Sequence, residues 1–264
     1  MKKFIKKKLS ENSLIRKGYY LYLSLNILTE WYVKCALKAA LKGREKETLN
    51  ILDAGVGFGQ YSYYLSRAFP RAKICAVDID KSRIENFRPF INRENLNIET
   101  RHSDLVDLQQ DNQFDLILCT DVLEHIEKDN AVVATFFKAL KRDGILIVGV
   151  PASPQKRVLP FLRNADFFKP HSLEHVREGY ALSEITGIIE KNKLKIIDTR
   201  ISFGKLGALG YELFCMCQFR PLLFLALFPL YFLFVQPLVT ILMILDVAKV
   251  NKSGNGIIIV AKKV

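Results

Sequence analysis

Three glycines and a carboxylate lie close enough together in this chain to hold one ligand. Gly55, Gly57 and Gly59 come directly after Asp53, which is near the end of the strand-like run LNILDA. A chain gives up side chains at alternate positions after a strand chiefly where its backbone must approach a ligand closely. Asp53 can accept hydrogen bonds from a ligand amine. The pattern therefore predicts a binding loop at the end of a strand.

Two further carboxylates follow the next two strand-like runs. Asp78 ends the run AKICAVD, at the position where a carboxylate can chelate two ribose hydroxyls. Asp104, in HSDLVDL, follows the third run, where an adenine amino group can be met. Ligands of open α/β sheets bind at the carboxyl ends of the strands. These carboxylates and the glycine loop are therefore expected to line one nucleoside-binding cleft.

Two common nucleotide-binding loops do not fit these residues. The G-x-G-x-x-G loop of dinucleotide dehydrogenases requires a third glycine at position 60, which is Gln60. A phosphate-binding P-loop requires Gly-Lys-Ser or Gly-Lys-Thr, and the chain has neither. A tight turn with chance glycines is the remaining alternative, and Asp78 and Asp104 argue against it.

The spacing D-x-G-x-G-x-G with an acidic second-strand end resembles the class I S-adenosylmethionine-dependent methyltransferases. FDLILCTDVLEHI, at 114–126, looks like the fourth-strand motif of the branch that contains ubiquinone and menaquinone biosynthesis enzymes, and GILIVGVP matches its fifth strand. The resemblance covers roughly 48–203 and the final strand. It implies S-adenosylmethionine as cofactor and a seven-stranded sheet whose antiparallel last strand lies beside the fifth.

The resemblance also assigns cofactor contacts position by position. The glycine loop and Asp53 would hold the methionine part of the cofactor, Asp78 its ribose, and the residues near Asp104 its adenine. The end of the fourth strand would line the sulfonium side. The positions assigned in this way are Asp53, Gly55, Gly57, Gly59, Asp78, Ile79, Asp104, Leu105, Thr120 and Asp121.

Methyl transfer to a hydroxyl requires alignment and a base that takes the proton. The predicted candidates are Glu124, His125 and His175, although His125 could instead serve packing alone. Some relatives with a D-V-L-E-H-like string bind a divalent ion and many do not, so we predict a metal-free site. Arg177 and Tyr180 could orient an anionic or phenolic substrate; alternatively, Arg177 belongs to a lid loop and pairs with Glu174 or Glu178.

The elements that must position these groups alternate along the chain. Short apolar runs separated by helical stretches begin at Thr48 and predict a parallel sheet covered by helices on both faces. The fold class is α/β, a Rossmann-like seven-stranded methyltransferase sheet with N-terminal basic helices and a hydrophobic helical insertion before the last strand. We divide the chain into helical region 1–47, domain 48–203 completed by strand 255–264, and insertion 204–254.

Composition limits the surroundings of the protein. Its 264 residues carry a net charge of +12, and 1–17 contain seven Lys or Arg against Glu11 alone. Five cysteines without a CxxC pair are typical of a reduced, cytosolic compartment, and the N-terminus lacks the features of a secretory signal. The chain has no recognised nucleic-acid motif and no basic stripe beyond its N-terminus, so we predict an anionic membrane surface rather than nucleic acid as partner.

The run 221–245 contains no charged residue and is long enough to span a bilayer. It lies between two strands of one predicted sheet, so the chain must return to the side it left. Pro229 and Pro237 should also break a single helix. We therefore predict a kinked or hairpin monotopic anchor on the cytoplasmic face and a lipid or lipid-linked substrate. The alternatives are a soluble small-molecule or glycan-pathway methyltransferase whose insertion forms a dimer, and a non-catalytic membrane scaffold. The oligomeric state stays open.

Overall fold

Seven strands form one sheet in the order β3-β2-β1-β4-β5-β7-β6 in the computed structural model, which describes residues 8–159, 176–218 and 229–264. Strands β1 to β5 run parallel, and β7 is antiparallel to both of its neighbours, β5 and β6. The predicted sheet and the position of its last strand are confirmed. The strands are β1 (Asn50–Ala54), β2 (Lys73–Asp78), β3 (Ile98–His102), β4 (Phe114–Thr120), β5 (Leu140–Pro151), β6 (Leu194–Ser202) and β7 (Gly256–Lys263).

Helices cover both faces of this sheet, as the alternating pattern predicts. Buried residues of α1 to α4 and α8 pack against one face, whereas those of α5 and α6 pack against the other. The helices are α1 (Ser13–Asn26), α2 (Leu28–Ala40), α3 (Gln60–Ala68), α4 (Lys81–Arg93), α5 (Asp129–Ala139), α6 (Leu182–Lys191), α7 (Lys205–Gln218) and α8 (Gln236–Ala248).

Capping side chains fix where two of the site-bearing helices begin. The Asn12 side chain accepts hydrogen bonds from the backbone N–H groups of Leu14 and Ile15, so α1 begins there. The Asp80 carboxylate accepts one from Ser82 N–H at the start of α4, two residues beyond the end of β2. The short β2–α4 connection keeps Asp78 at the carboxyl edge of the sheet.

The sequence-based boundaries need one correction. The sequence predicts a helix over the whole stretch NAVVATFFKALK, but α5 ends at Ala139, and Leu140 already pairs with Phe114 of β4. The Asp143-Gly144 turn expected from the sequence lies instead within β5: Asp143 has φ +63°, the pairing with β4 shifts register there, and it is regular again from Ile145. Leu140 is fully buried against the sheet, and the free energy gained by this burial outweighs the helical preference of the surrounding sequence.

Pro237 does not break the helix that contains it, contrary to the expectation from sequence. It is the second residue of α8, inside a helix that already begins before it. A π-helical turn, Tyr231–Val235, precedes it and keeps the helix continuous. The resulting helix Tyr231–Ala248 is 18 residues long with a mean hydropathy of 2.0, sufficient by length and composition to cross a membrane.

Candidate cofactor and methyl-transfer site

Strand register brings the predicted carboxylates to one edge of the sheet. Asp53 in β1 is level with Ala76 of β2 and with Leu118 of β4. Asp78 and Thr120 each lie two residues further along their strands, at the carboxyl ends of β2 and β4. The glycine loop leaves β1 between these two strand ends. Residues separated by up to 67 positions in sequence therefore lie around one loop, as the sequence predicts.

The glycine loop adopts a conformation that side chains would disturb. Gly55, Gly57 and Gly59 have φ values of +88°, +55° and +83°, in the left-handed region. A Cβ on Gly55 would lie 2.2 Å from the Val122 side chain, and a Cβ on Gly59 would lie 2.5 Å from the Phe87 ring. These two glycines are required by packing within the protein.

Gly57 differs because its surroundings are open. A Cβ on Gly57 would have only the Gly55 carbonyl oxygen within reach, at 4.0 Å. The backbone is therefore bare on the side that faces away from the protein, at the N-terminus of α3, where a helix presents unpaired N–H groups. This open, side-chain-free surface is what a cofactor lying against the loop requires, so the residues present fit S-adenosylmethionine.

Asp53 is buried at the end of β1, and its carboxylate is 2.5 Å from the hydroxyl of Ser62, which donates a hydrogen bond to it. Burial raises the pKa of Asp53 to about 6, and the negative charge of Asp78 adds to this, although the Ser62 hydrogen bond opposes it. A cation placed beside Asp53 would therefore stabilise its charged carboxylate. A ligand ammonium group would supply that cation.

Asp78 binds the backbone of the glycine loop. One carboxylate oxygen accepts a hydrogen bond from Gly57 N–H at 3.0 Å, and the other accepts one from Asp80 N–H at 2.9 Å. The Arg83 guanidinium lies 3.4 Å from the first oxygen. Asp78 thus joins β2 to the glycine loop, and its position at the strand end matches that of a ribose-binding carboxylate.

The predicted adenine-side residues follow β2 and β3. Ile79 comes directly after Asp78 and is 68% exposed, so its apolar side chain is available for contact with a ligand ring. Asp104 is half-buried and accepts a hydrogen bond from Val106 N–H at 3.0 Å, while Leu105 is buried. Their place at the carboxyl ends agrees with the prediction, and their ligand contacts remain predictions.

The end of β4 places Thr120 and Asp121 beside the glycine loop. Thr120 is buried, and its hydroxyl has no hydrogen-bond partner within the described residues. Asp121 has φ +54°, and its N–H donates to the Gly149 carbonyl of β5. Its carboxylate is reached by solvent, but surrounding protein atoms still desolvate it enough to raise its pKa, against the effect of a charged His125.

The candidate bases differ in their access to solvent. Glu124 and His125 belong to a 3₁₀ turn, Leu123–His125, after β4. Glu124 is 2% exposed, and burial together with the charge of Asp121 raises its pKa and favours the neutral acid. His125 is exposed. His175 lies outside the described residues.

Tyr180 and Arg177 serve the structure rather than a substrate. Tyr180 is fully buried, and its hydroxyl donates to the Asp129 carboxylate at 2.9 Å and lies 3.0 Å from the Leu123 carbonyl. Arg177 pairs with Asp129 at 3.1 Å and with Glu184 at 3.0 Å, and its guanidinium lies over the Tyr180 ring. The predicted orienting role of Tyr180 is therefore not supported. The ion-pair partners of Arg177 among the described residues do not include Glu178, and the other predicted partner, Glu174, lies outside the described residues.

The D-V-L-E-H string contains carboxylate and imidazole groups that could ligate a divalent ion. Within residues 8–159, 176–218 and 229–264, no three His, Cys, Asp or Glu side chains converge as a metal site would require. Asp121 and Glu124 lie close enough to affect each other's protonation, but a pair of carboxylates is too few ligands for a divalent ion without further groups.

Comparison with known proteins agrees with this geometry. The methyltransferase domain family matches residues 51–144. The ubiquinone biosynthesis O-methyltransferase of Rickettsia bellii is 24% identical over 151 residues, which are 56% of this chain and 62% of that protein. The malonyl-[acyl-carrier protein] O-methyltransferase of Bacillus cereus is 31% identical over 115 residues, 42% of each chain.

A solved structure extends the likeness to nearly the whole chain. The phosphoethanolamine N-methyltransferase 2 of Haemonchus contortus, in complex with S-adenosylmethionine, covers 98% of this chain and 60% of its own, with a TM-score of 0.64 and 19% identity. The sheet order and the glycine loop are those of the class I S-adenosylmethionine-dependent methyltransferase fold, and the methyltransferase domain family matches residues 51–144 of this chain. S-adenosylmethionine is the cofactor of this class, and the open loop at Gly57 is where it fits.

Several residues of this site were not identified from the sequence. Ser62 holds Asp53, Arg83 approaches Asp78, and both Arg16 and Tyr20 of α1 contact the carbonyl of Phe58 in the glycine loop. Arg16 lies in the basic N-terminal segment that we expected to face lipid, but it is 1% exposed. The sequence around Arg16 does not reveal its burial, because hydrophobic periodicity indicates which face of a helix is buried and not which groups a polar side chain contacts.

The Asp53 carboxylate should make cofactor binding depend on pH. The free protein takes up a proton there as the pH falls through about 6, and this proton competes with the ligand ammonium. The affinity for S-adenosylhomocysteine should therefore be constant at higher pH and fall by about tenfold per pH unit below that pKa. Isothermal titration at several pH values measures this. The variant Asp53→Asn should bind weakly and lose the slope; a slope that persists would assign the proton to another group, such as Asp121.

Proposed function

We propose that this protein transfers a methyl group from S-adenosylmethionine to a lipid or lipid-linked acceptor at the cytosolic surface of a membrane. The cofactor supplies an electrophilic sulfonium methyl group, and the residues of the chain align the acceptor and take up its proton. The observation that carries the lipid part of this proposal is the outward face of the helix Tyr231–Ala248, which presents a continuous apolar stripe.

The exposed apolar residues of this stripe recur at helical spacing, and none of them is charged. Its members are adjacent or lie three or four positions apart, so they share one broad face, while Val239, Leu242 and Met243 on the other face pack into the protein. Soluble monomers rarely leave so many large apolar side chains on one face exposed. The residues, with their exposed fractions, are Leu230 (53%), Leu233 (65%), Phe234 (68%), Leu238 (48%), Ile241 (53%), Ile244 (50%) and Leu245 (49%).

Polar side chains hold both ends of this helix on the protein. Near its start, the Tyr231 hydroxyl lies 2.7 Å from the Asn26 side-chain oxygen, and the Gln236 amide donates to the Leu25 carbonyl. Near its end, the buried Asp246 carboxylate accepts hydrogen bonds from Gly207 N–H at 2.9 Å and from Tyr32. A helix held at both ends lies along the protein surface. This favours insertion into one leaflet over a crossing.

Neighbouring surface residues suit a bilayer with anionic headgroups. Lys205, Lys249 and Lys252 are exposed near the start of α7 and after the end of α8, beside the apolar stripe. A lysine near such a surface contributes about 1 kcal/mol of attraction. On α1, Leu14 and Leu21 are 78% and 62% exposed and add apolar area.

The named activities of the relatives support the same acceptor class. One is named for the biosynthesis of ubiquinone, which is itself a lipid, and the other for a malonyl group on an acyl-carrier protein. The family match at residues 51–144 includes the glycine loop and β4, but the alignments with these two relatives cover only 62% and 42% of those proteins. The acceptor of this chain is therefore proposed from its own apolar surface first.

His125 is the better placed of the two described base candidates. It is exposed beside Asp121, whereas Glu124 is closed off from solvent and favours its neutral form, which cannot accept a proton. The ring nitrogen of a neutral imidazole can accept the proton of a hydroxyl acceptor. The rival function is a soluble methyltransferase that buries the stripe in a dimer.

The experiment that tests the proposal follows the methyl group. Full-length protein, bacterial membranes and S-adenosylmethionine labelled in its methyl group are incubated together, and the lipids are extracted. Label should enter the organic phase with the unmodified chain and be absent with the variant Gly57→Val, which should not bind cofactor. Label that stays wholly in water-soluble products would contradict the lipid acceptor and favour the soluble rival.

A further inference from the structure

The N-terminal helix α1 sends a buried arginine into the wall of the cofactor site. Arg16 is 1% exposed, and its Nη1 donates to the Phe58 carbonyl at 2.9 Å. Phe58 is the residue between Gly57 and Gly59 in the glycine loop. The Tyr20 hydroxyl, one turn along α1, donates to the same carbonyl at 2.7 Å. Two donors from one helix therefore converge on one carbonyl of the loop.

The other N–H groups of Arg16 fix it in place. Its Nε donates to the Leu9 carbonyl at 2.9 Å, and its Nη2 donates to the carbonyl and the side-chain oxygen of Asn86 in α4. The guanidinium also lies 5.5 Å from the centre of the Phe87 ring and 5.4 Å from that of Phe90. Within the described part of the chain, all these partners are uncharged.

Burying the charged Arg16 guanidinium costs desolvation free energy, and packing alone gives no reason for the chain to bear this cost. Burying a cation without a carboxylate is unfavourable unless hydrogen bonds satisfy its donors, and the rigid fork of arginine is what allows one residue to reach three separate segments. A surface arginine in this basic segment would avoid the cost. The loop at Phe58 is stabilised most by these contacts, because the glycines on both sides of Phe58 have few backbone constraints of their own.

The orientation of one peptide plane depends on these contacts. The Phe58 carbonyl and the Gly59 N–H belong to the same peptide group, and the Gly59 N–H donates to the Val56 carbonyl at 2.8 Å. Arg16 and Tyr20 hold the carbonyl side of that plane. Its rotation would move the open surface at Gly57 and the first N–H groups of α3 together.

We propose that Arg16 is a positioning residue for cofactor binding: through the Phe58 carbonyl it holds the glycine loop in the conformation that receives the ligand, and it makes α1 part of the cofactor site. This rests on cofactor binding at the loop and not on the lipid acceptor. Tyr20 supports the same carbonyl. Arg16 itself touches no cofactor atom in this role and acts through the loop.

The test compares two arginines that both connect the N-terminal segment to the rest of the protein. Arg93 of α4 donates to the Ser10 carbonyl but does not contact the glycine loop, so Arg93→Lys is the matched control. Arg16→Lys keeps the charge and loses the fork. In isothermal titration of the full chain, Arg16→Lys should raise the Kd of S-adenosylhomocysteine by about tenfold, and Tyr20→Phe by about threefold, because hydrogen bonds to the loop are lost. Arg93→Lys should leave it unchanged.

A second measurement separates positioning from general stability. Backbone hydrogen exchange at Gly57, Phe58 and Gly59 should become faster in Arg16→Lys and Tyr20→Phe and stay as in the unmodified chain in Arg93→Lys, whatever the unfolding temperatures. Tyr20→Phe removes one hydroxyl and keeps the test available if Arg16→Lys does not fold. Unchanged affinity and exchange in the Tyr20 and Arg16 variants, or equal loss in Arg93→Lys, would overturn the proposal. Failure of the unmodified chain to bind would instead overturn the cofactor assignment.

Discussion

Gly57→Val is expected to abolish binding of S-adenosylhomocysteine, with an increase in Kd of about 100-fold or more. Gly57 has φ +55°, which a β-branched residue adopts only with strain, and its missing side chain leaves open the surface on which the cofactor fits. The smaller change Gly57→Ala should weaken binding while the protein stays folded, because the added Cβ meets no atom closer than 4.0 Å.

Gly59→Ala is the matched control for that effect. Gly59 also has a positive φ, +83°, so the backbone strain of an alanine is comparable at the two positions. Its Cβ would instead meet the Phe87 ring at 2.5 Å, so the damage should appear in thermal unfolding. Isothermal titration and thermal melts of both alanine variants therefore separate the ligand surface from the packing. Wild-type affinity in Gly57→Ala and Gly57→Val would contradict the assignment of the cofactor to this loop.

The sheet was predictable because its strands are buried on both sides. Runs such as FDLILCT alternate with amphipathic helical stretches, and only a parallel sheet covered on both faces buries both kinds of segment. The carboxylates at strand ends follow from the same pattern, since parallel strands carry their ends to one edge. Asp53, Asp78 and Thr120 were located for that reason.

The long-range polar contacts were not predictable in the same way. Arg16 lies in the lysine-rich segment that the sequence assigns to an anionic membrane surface, yet it binds the loop 42 residues away. Asp246 follows a charge-free run and caps the start of α7, 39 residues before it. A hydrophobic pattern specifies which face of a helix is buried. It does not specify which buried polar group finds which carbonyl.

Pro237 lies inside a continuous helix, although the sequence predicts a break there. From sequence it should interrupt the apolar run, because proline removes a helical hydrogen bond and crowds the preceding turn. The chain avoids both effects by widening the turn Tyr231–Val235 to a π-helix just before it. The apolar stripe consequently runs unbroken from Leu230 to Leu245 on one helix. A continuous stripe offers a larger contact to a flat surface than two broken pieces would.

Introducing charge on that stripe should release the protein from lipid vesicles. In the triple variant Leu233→Glu, Phe234→Glu and Ile241→Glu, each position loses the burial of a half-exposed apolar side chain, worth about 1 kcal/mol. The three changes together should lower the vesicle partition coefficient by about 100-fold, and the carboxylates should lower it further. Flotation with vesicles that contain anionic lipid measures the bound fraction.

The control places the same residue on an apolar position elsewhere. Ile197 of β6 is 51% exposed, close to the 53% of Ile241, but it belongs to the edge strand of the sheet and not to the stripe. Ile197→Glu should therefore float with vesicles as the unmodified chain does. High salt should weaken binding of the unmodified chain only partly, because it screens the lysines and leaves apolar contact intact. If the unmodified chain stays in solution as a dimer that the triple variant dissociates, the stripe is a subunit interface and the lipid acceptor is wrong.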